Sequence, residues 1–227
     1  MPRESLDRKL QGLIDQVLVL GSMVENALTE SVEGLKRKDI EGSRRLIAHD
    51  RMINETRYEV EADALALIAT QQPTARDLRA IAAVLDIASE LERMGDYAKG
   101  IARINLMIGA QPFIKPLVDL PAMASRARDM LHESLEAFAR GDADLARAIP
   151  GKDDQVDALY NQVYRELLTL IMANSSTIDQ ANHLLWAAHN LERAADRVTN
   201  ICERVIFTVS GEMVELDVET TGLESIG

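Results

Sequence analysis

The feature that most constrains the fold of this chain is an internal repeat that relates its two halves. Asp39 in the first half matches Asp142 in the second, 103 positions later. The tripeptide Leu-Glu-Arg at 91–93 recurs at 191–193, so the offset there is 100 positions and the change falls near residue 72. A turn at that point would tolerate such a difference in length. A repeated structural unit explains these matches more simply than chance does.

Apolar residues recur every three or four positions through nearly the whole chain. From Leu6 to Leu35, leucine and valine form one continuous stripe, which is typical of an amphipathic helix. Hydrophobic residues make up 47% of the chain but aromatic residues only 4%, a balance that favours helices packed on helices. We therefore predict an all-α fold of two tandem three-helix bundles, six long helices in all. The fifth helix should be kinked or interrupted at Pro150 and Gly151.

Three prolines between residues 111 and 121 break the helical pattern and predict a linker between the two units. The first three-helix repeat then spans residues 1–110, and the second spans residues 122–211. The segment 212–227 is acidic with turn-forming residues near its end, and we expect this tail to be loosely held. Because each unit has its own apolar stripes and caps, a fragment that ends within the linker is predicted to fold independently.

The net charge of −12, from 37 acidic and 25 basic residues, limits the classes of partner. A chain this acidic repels the phosphate backbones of nucleic acids, and no basic run offsets the repulsion. We therefore expect no nucleic-acid binding. An acidic surface is better suited to cations or to a basic partner surface. The first ten residues are mostly polar, and the nearest apolar stretch is far shorter than a membrane span. We therefore predict a cytosolic protein without direct membrane insertion.

One pair of carboxylates recurs at the same place in each unit. Glu92 and Asp96 are four residues apart and therefore share one helix face, and so do Glu192 and Asp196. Like charges at this spacing repel by roughly a few tenths of a kcal/mol. A purely structural helix would gain nothing from this repulsion, so its occurrence in both units favours a functional role for the carboxylates.

The preceding helix of each unit supplies companion groups at the same height. Counted from the turn at Gln72, Asp50 and Asp96 lie at similar distances along the hairpin, roughly 30 Å from the turn. Each unit thereby assembles three or four carboxylate or amide oxygens, which suit a divalent or trivalent metal ion such as iron, manganese or magnesium. The predicted ligands are Asp50, Asn54, Glu92 and Asp96 in the first unit, and Asp153, Asp157, Glu192 and Asp196 in the second.

The two predicted metal sites differ in charge. Asn54 is neutral where the second unit has Asp157, so the second site is predicted to hold metal more fully when the supply is limited. Glu90 lies level with Asn54 across the hairpin and is expected to compensate in part, whereas its counterpart Asn190 is neutral.

Two other interpretations of the acidic residues remain open. One is a solvated acidic face of a helical scaffold, with Arg93 and Arg193 as ion-pair partners. The other is a carboxylate-bridged metal enzyme on a helical bundle. The sequence lacks the Glu-x-x-His ligand pair of such enzymes, and it also lacks a Gly-rich phosphate loop and a nucleophile elbow. We therefore predict a protein that is not an enzyme.

Two segments resemble the signature regions of the PhoU family of bacterial phosphate-uptake regulators. They are residues 77–102, DLRAIAAVLDIASELERMGDYAKGIA, and residues 190–212, NLERAADRVTNICERVIFTVSGE. The resemblance extends from about residue 5 to Gly211. It implies a pair of three-helix bundles whose acidic motifs can hold multinuclear metal clusters. The matching acidic positions are Glu92 and Asp96, Glu192 and Asp196, and Asp50 and Asp153.

The same resemblance implies a function and partners. PhoU proteins restrain phosphate uptake and the phosphate-starvation response by contacting a membrane sensor histidine kinase and the ATPase of the phosphate ABC transporter. The resemblance therefore implies a cytoplasmic negative regulator with these two partners, and we expect a homodimer. The commoner family form of the motif is ERIGD, and the two halves of this chain read ERMGD and ERAAD.

Overall fold

The structure is a computed structural model, and it describes residues 2–216. All the regular structure in this range is helical, which confirms the predicted all-α fold. The α-helices are α1 (Pro2–Arg37), α2 (Ile40–Gln71), α3 (Ala75–Ile108), α4 (Asp119–Arg140), α5 (Ala143–Ala148), α6 (Asp154–Ala173) and α7 (Ile178–Ser210). Short 3₁₀ turns at Pro150–Lys152 and Ser175–Thr177 precede α6 and α7.

The helices form two bundles that share one hydrophobic core. α1, α2 and α3 pack together, as do α4, α6 and α7, with the short α5 against α4 and α7. The two bundles meet where α3 packs along α7 and α1 packs against α4, and their buried side chains form one continuous cluster. The repeated leucines Leu91 and Leu191 are both fully buried in this core. Burial of each contributes roughly 1.5–3 kcal/mol, and it fixes the position of the glutamate that follows.

The predicted fifth helix is interrupted, so that six predicted helices become seven. α5 ends at Ala148, a 3₁₀ turn spans Pro150–Lys152, and α6 begins at Asp154. Proline lacks the amide hydrogen that a continuing helix needs, and its ring clashes with the preceding turn. As a result Asp153 stands at the start of α6, whereas its counterpart Asp50 lies within the unbroken α2.

Matching aspartates start corresponding helices in the two halves. Asp39 accepts a hydrogen bond from the backbone N–H of Gly42 at 2.8 Å and begins α2. Asp142 accepts hydrogen bonds from the N–H groups of Asp144 (3.1 Å) and Leu145 (2.9 Å) and begins α5. An N-cap of this kind contributes about 1 kcal/mol, so the repeated aspartates set the same helix start in both units.

α2 and α3 approach each other closely beside the acidic residues of the first unit. A β-carbon added at Gly95 would lie 3.1 Å from the Cδ1 atom of Ile53, so glycine allows the two helices to come this close. Ile53 lies between Asp50 and Asn54 in α2, and Gly95 directly precedes Asp96 in α3. This contact therefore brings the companion residues of α2 to the carboxylates of α3.

The linker between the two bundles is held from both sides. The Lys38 ammonium donates a hydrogen bond to the carbonyl oxygen of Gln111 and lies 4.5 Å from the centre of the Phe113 ring. From the second bundle, the Gln180 side chain accepts a hydrogen bond from the N–H of Ile114 at 2.6 Å. The linker is therefore attached to residues of both repeats.

The predicted acidic tail is described only in part. Residues 212–216 have no regular structure, and the N–H of Leu216 donates a hydrogen bond to Glu203 Oε1 at 2.9 Å. Residues 217–227 lie outside the described residues. No helix in the described range is both long enough and apolar enough to cross a membrane.

Candidate functional site

The predicted ligands of the first unit lie together on α2 and α3. The Asp50 side chain is only 8% exposed, and its carboxylate accepts a hydrogen bond from Asn54 Nδ2 at 3.2 Å. The pKa of Glu92 is raised above its ordinary value, first by burial, then by the charge of Asp96, with a further contribution from Asp50. We call Asp50, Asn54, Glu92 and Asp96 the first cluster.

A lysine that was not predicted from the sequence lies within the first cluster. Lys99 Nζ donates to Asp50 Oδ2 at 2.5 Å and to Asp96 Oδ1 at 3.2 Å. The hydrogen bond with Asp50 is the largest cause of a raised pKa for the Lys99 ammonium, against the opposing effect of burial. A signal was present in the sequence, because Asp96 and Lys99 are three residues apart and share a helix face.

The predicted ligands of the second unit lie on α6 and α7. Glu192 interacts with Asp196, one turn further along α7, and with Asp157 on α6. Burial and these two charges, in that order, raise the pKa of Glu192 to about 7. Asp153 lies one turn before Asp157, at the start of α6. We call Asp153, Asp157, Glu192 and Asp196 the second cluster.

Two aromatic rings border the second cluster. Nδ1 of His189 lies 3.2 Å from Glu192 Oε2, but the orientation leaves this buried oxygen without a hydrogen bond. The ring of Tyr160 lies 6.1 Å from that of His189, measured between centroids. Burial and then the charge of Glu192 raise the pKa of the Tyr160 hydroxyl. Negative charge at Glu192 therefore acts on both helices of this hairpin.

Glu90, which was expected to compensate for the neutral Asn54, contacts the other half of the molecule instead. Its Oε2 atom accepts hydrogen bonds from Arg197 (3.4 Å) and Asn200 (3.2 Å) on α7. Glu90 precedes Glu92 by two residues, which turns the two side chains roughly 200° apart around the helix. The prediction matched heights along the hairpin but took no account of direction around the helix axis.

The arginines of the repeated Leu-Glu-Arg motif do not neutralise the clusters as simple ion-pair partners. Arg93 pairs with Glu90, at 3.4 Å, rather than with a predicted ligand. The charge of Arg193 acts to lower the pKa of Glu192, but burial and the neighbouring carboxylates outweigh it. In the first cluster, Lys99 of α3 pairs directly with Asp50 and Asp96, and Arg57 of α2 lowers the pKa of Glu92 more than Arg93 does.

Metal binding by either cluster stays a prediction. Among residues 2–216, no group of three or more histidine, cysteine, aspartate or glutamate side chains is arranged to hold a metal ion. The second cluster offers four carboxylates on two adjacent helices, and three of them interact electrostatically.

Comparison with known proteins gives a consistent family match. The family model described as the PhoU domain matches the chain twice, over residues 17–104 and 120–205. The chain is 32% identical over 218 residues to the phosphate-specific transport system accessory protein PhoU homolog of Clostridium acetobutylicum, covering 96% of this chain and 100% of that protein. It is 35% identical over 204 residues to the phosphate-specific transport system accessory protein PhoU of Escherichia coli, covering 90% and 85%.

Solved structures give the same result for the fold. The crystal structure of the phosphate transport system regulatory protein PhoU from Streptococcus pneumoniae superposes with a TM-score of 0.85 at 31% identity, covering 92% of this chain and 99% of that one. The crystal structure of PhoU from Pseudomonas aeruginosa gives the same TM-score of 0.85 at 31% identity, covering 91% and 99%. The likeness therefore extends over nearly the whole chain and both bundles.

Proposed function

Because the chain belongs to the PhoU family, we propose that it restrains phosphate uptake and the phosphate-starvation response as an accessory protein of a phosphate-specific transport system. The observation that supports this most strongly is the double match to the PhoU domain, together with more than 30% identity to accessory proteins of such systems. The relatives described above are named as accessory or regulatory proteins, and we propose no catalytic activity for this chain.

The proposed partners are a membrane sensor histidine kinase and the ATPase of the phosphate ABC transporter, both contacted on the cytoplasmic side. The resemblance of both halves to PhoU signature regions supports this proposal, and the net charge of −12 is compatible with basic partner surfaces. We also propose that the chain acts as a homodimer, which light scattering on the purified protein tests directly.

Uptake of radiolabelled phosphate tests the regulatory proposal. A strain that lacks this gene should take up phosphate faster than the parent strain under phosphate-replete conditions, and the unmodified gene should restore the parental rate. Affinity capture of the tagged chain from replete cells should recover the kinase and the ATPase. Unchanged uptake would contradict the proposed function, and capture of neither partner would contradict the proposed contacts.

We further propose that the second cluster binds a divalent or trivalent cation such as iron, manganese or magnesium, which would draw its carboxylates into a ligand arrangement that they do not have in the described structure. Its four carboxylates supply the hard oxygen donors that such ions prefer. The raised pKa of Glu192 reflects burial first and then the negative charge of Asp196 and Asp157, which a cation would offset. A bound ion would supply positive charge between α6 and α7 and so join the two helices. The residues that would hold it are Asp153, Asp157, Glu192 and Asp196.

The first cluster fits a metal ion poorly, because the Lys99 ammonium already bridges two of its carboxylates. We therefore propose metal binding for the second cluster alone. Equilibrium dialysis of the full chain against Mn²⁺, followed by elemental analysis, tests this proposal. The unmodified chain should retain Mn²⁺ and Glu192→Gln should lose most of it. Equal retention by both proteins would contradict metal binding at the second cluster.

A further inference from the structure

The first cluster already contains a cation of its own. Lys99 Nζ lies 2.5 Å from a carboxylate oxygen of Asp50 on α2 and 3.2 Å from one of Asp96 on α3. The Asp50 and Lys99 side chains are only 8% and 20% exposed, so water screens this ion pair weakly. A lysine ammonium is a compact point charge. It joins α2 to α3 through the same carboxylates that were predicted to bind a metal ion.

The second half of the repeat lacks this arrangement. Leaving aside the arginines at 93 and 193, which both halves share, the halves differ in charge at several positions near the clusters, and three of these lie in the first cluster or act on it. Together with the carboxylates of the clusters, the first half has three acidic residues and two basic residues there, whereas the second half has four acidic residues and neither base. Asn54, Arg57 and Lys99 in the first half correspond to Asp157, Tyr160 and Thr199 in the second.

We propose that Lys99 is a built-in cation of the first cluster, which prevents that cluster from binding a metal ion and confines metal binding to the second cluster. Only the part concerning the second cluster rests on the proposed function. An incoming ion would have to displace the ammonium from the nearly buried Asp50 or bind directly beside a positive charge. Both routes are unfavourable, because separating a buried pair leaves an uncompensated charge and like charges repel.

Lys99→Thr gives the first cluster the residue that the second half has at the equivalent position. The full chain is dialysed against Mn²⁺ alone, at a concentration where the unmodified chain takes up no more, and the bound ion is counted by elemental analysis. Lys99→Thr should bind at least one additional Mn²⁺ per chain. The additional ion should disappear in the double variant Lys99→Thr with Asp96→Asn. A folded Lys99→Thr protein that binds no additional Mn²⁺ would overturn the proposal.

Two further measurements keep the test decisive. Lys99→Met retains most of the apolar stem while removing the charge, so it should give the same gain if the threonine variant does not fold. In a chain that keeps Lys99, Asp96→Asn should leave the amount of bound Mn²⁺ unchanged. A fall in that amount would mean that the first cluster binds metal despite Lys99, and it would overturn the proposal without any change to Lys99 itself.

The role of Lys99 and the metal site of the second cluster can fail separately. If the unmodified chain binds no Mn²⁺, the proposed site in the second cluster is wrong. The gain on replacement of Lys99 then still decides whether this ammonium excludes metal from the first cluster. If the unmodified chain binds Mn²⁺ and loses it in Glu192→Gln, the second site stands whatever the Lys99 variants show.

Discussion

Glu192→Gln is predicted to stabilise the metal-free chain at neutral and alkaline pH, and to do so progressively less as the pH falls. The ionised Glu192 carboxylate is partly buried and lies near the charges of Asp196 and Asp157. Glutamine has a similar shape and carries no charge at any pH. The substitution therefore removes an unfavourable ionisation while it leaves most of the packing intact.

The magnitude follows from the pKa of Glu192, which is about 7 in the folded chain against an ordinary value of 4.5. Between these two values the folded chain holds a proton that the unfolded chain releases, so the stability of the unmodified chain falls as the pH rises through this window. A difference of this size corresponds to roughly 3 kcal/mol. The side chain is 22% exposed, so solvent screening reduces the effect, and we expect roughly 2–3 kcal/mol above pH 7.

Urea unfolding followed by circular dichroism measures this effect, in EDTA and at several values from about pH 5 to about pH 8. The free energy of unfolding of Glu192→Gln should exceed that of the unmodified chain by little at the acidic end and by roughly 2–3 kcal/mol at the alkaline end. Parallel pH profiles for the two proteins would refute the reasoning. Glu92→Gln is the matched control. It should show the same sign with a smaller amplitude, because the charge of Arg57 favours ionised Glu92.

Further predictions concern the core, the helix ends and the two halves. Leu91→Ala should lower the free energy of unfolding by about 2–5 kcal/mol in urea titrations, because the side chain is fully buried, and a loss below about 1 kcal/mol would contradict its place in the core. Gly12→Ala should raise the melting temperature, because an added β-carbon meets nothing within 4 Å in a helix interior. Gly141→Ala should lower it, because glycine there has a φ of 63°. A lower melting temperature for Gly12→Ala than for Gly141→Ala would contradict the backbone conformations described for these two glycines. The fragment 1–110 should give helical circular dichroism and unfold cooperatively, and it should self-associate in sedimentation because the α3 surface that packs on α7 is exposed. An unfolded fragment would contradict independent folding.

The helical framework could be predicted because its signals are local or repeated. The caps Asp39 and Asp142 and the buried leucines Leu91 and Leu191 each follow from short-range patterns that occur twice. Proline chemistry also predicted a kink or an interruption near Pro150, but not which of the two would form. That outcome depends on how the flanking turns pack, which a linear pattern does not contain.

The packing of the two halves against each other was not predicted. α3 is buried around much of its circumference, at positions such as Ile81, Ala83 and Val84, because it contacts α1, α2 and α7. A helix that is apolar on several faces indicates a central position but does not identify its neighbours. The contacts of Glu90 with Arg197 and Asn200 were not predicted for this reason, because they depend on which face of α3 meets α7.

The positions of the acidic clusters were predicted from the spacing of their residues, but the basic residue that pairs with the first cluster was not predicted. Equal heights along the hairpins correctly indicated that Asp50 lies close to Asp96. Lys99 was not predicted because a lysine ammonium is not a metal ligand, although its spacing from Asp96 is that of a common helical ion pair. The repeat that predicted the clusters also aligns Lys99 with Thr199, so the first cluster has an ammonium where the second half has a neutral side chain.

Expression of a phosphate-starvation reporter in phosphate-replete cells tests the central claim most directly. The account predicts that the reporter is silent in the parent strain, active in a strain that lacks this gene, and silent again when the unmodified chain is supplied. A reporter that stays silent in the strain lacking the gene would contradict the proposed regulatory role.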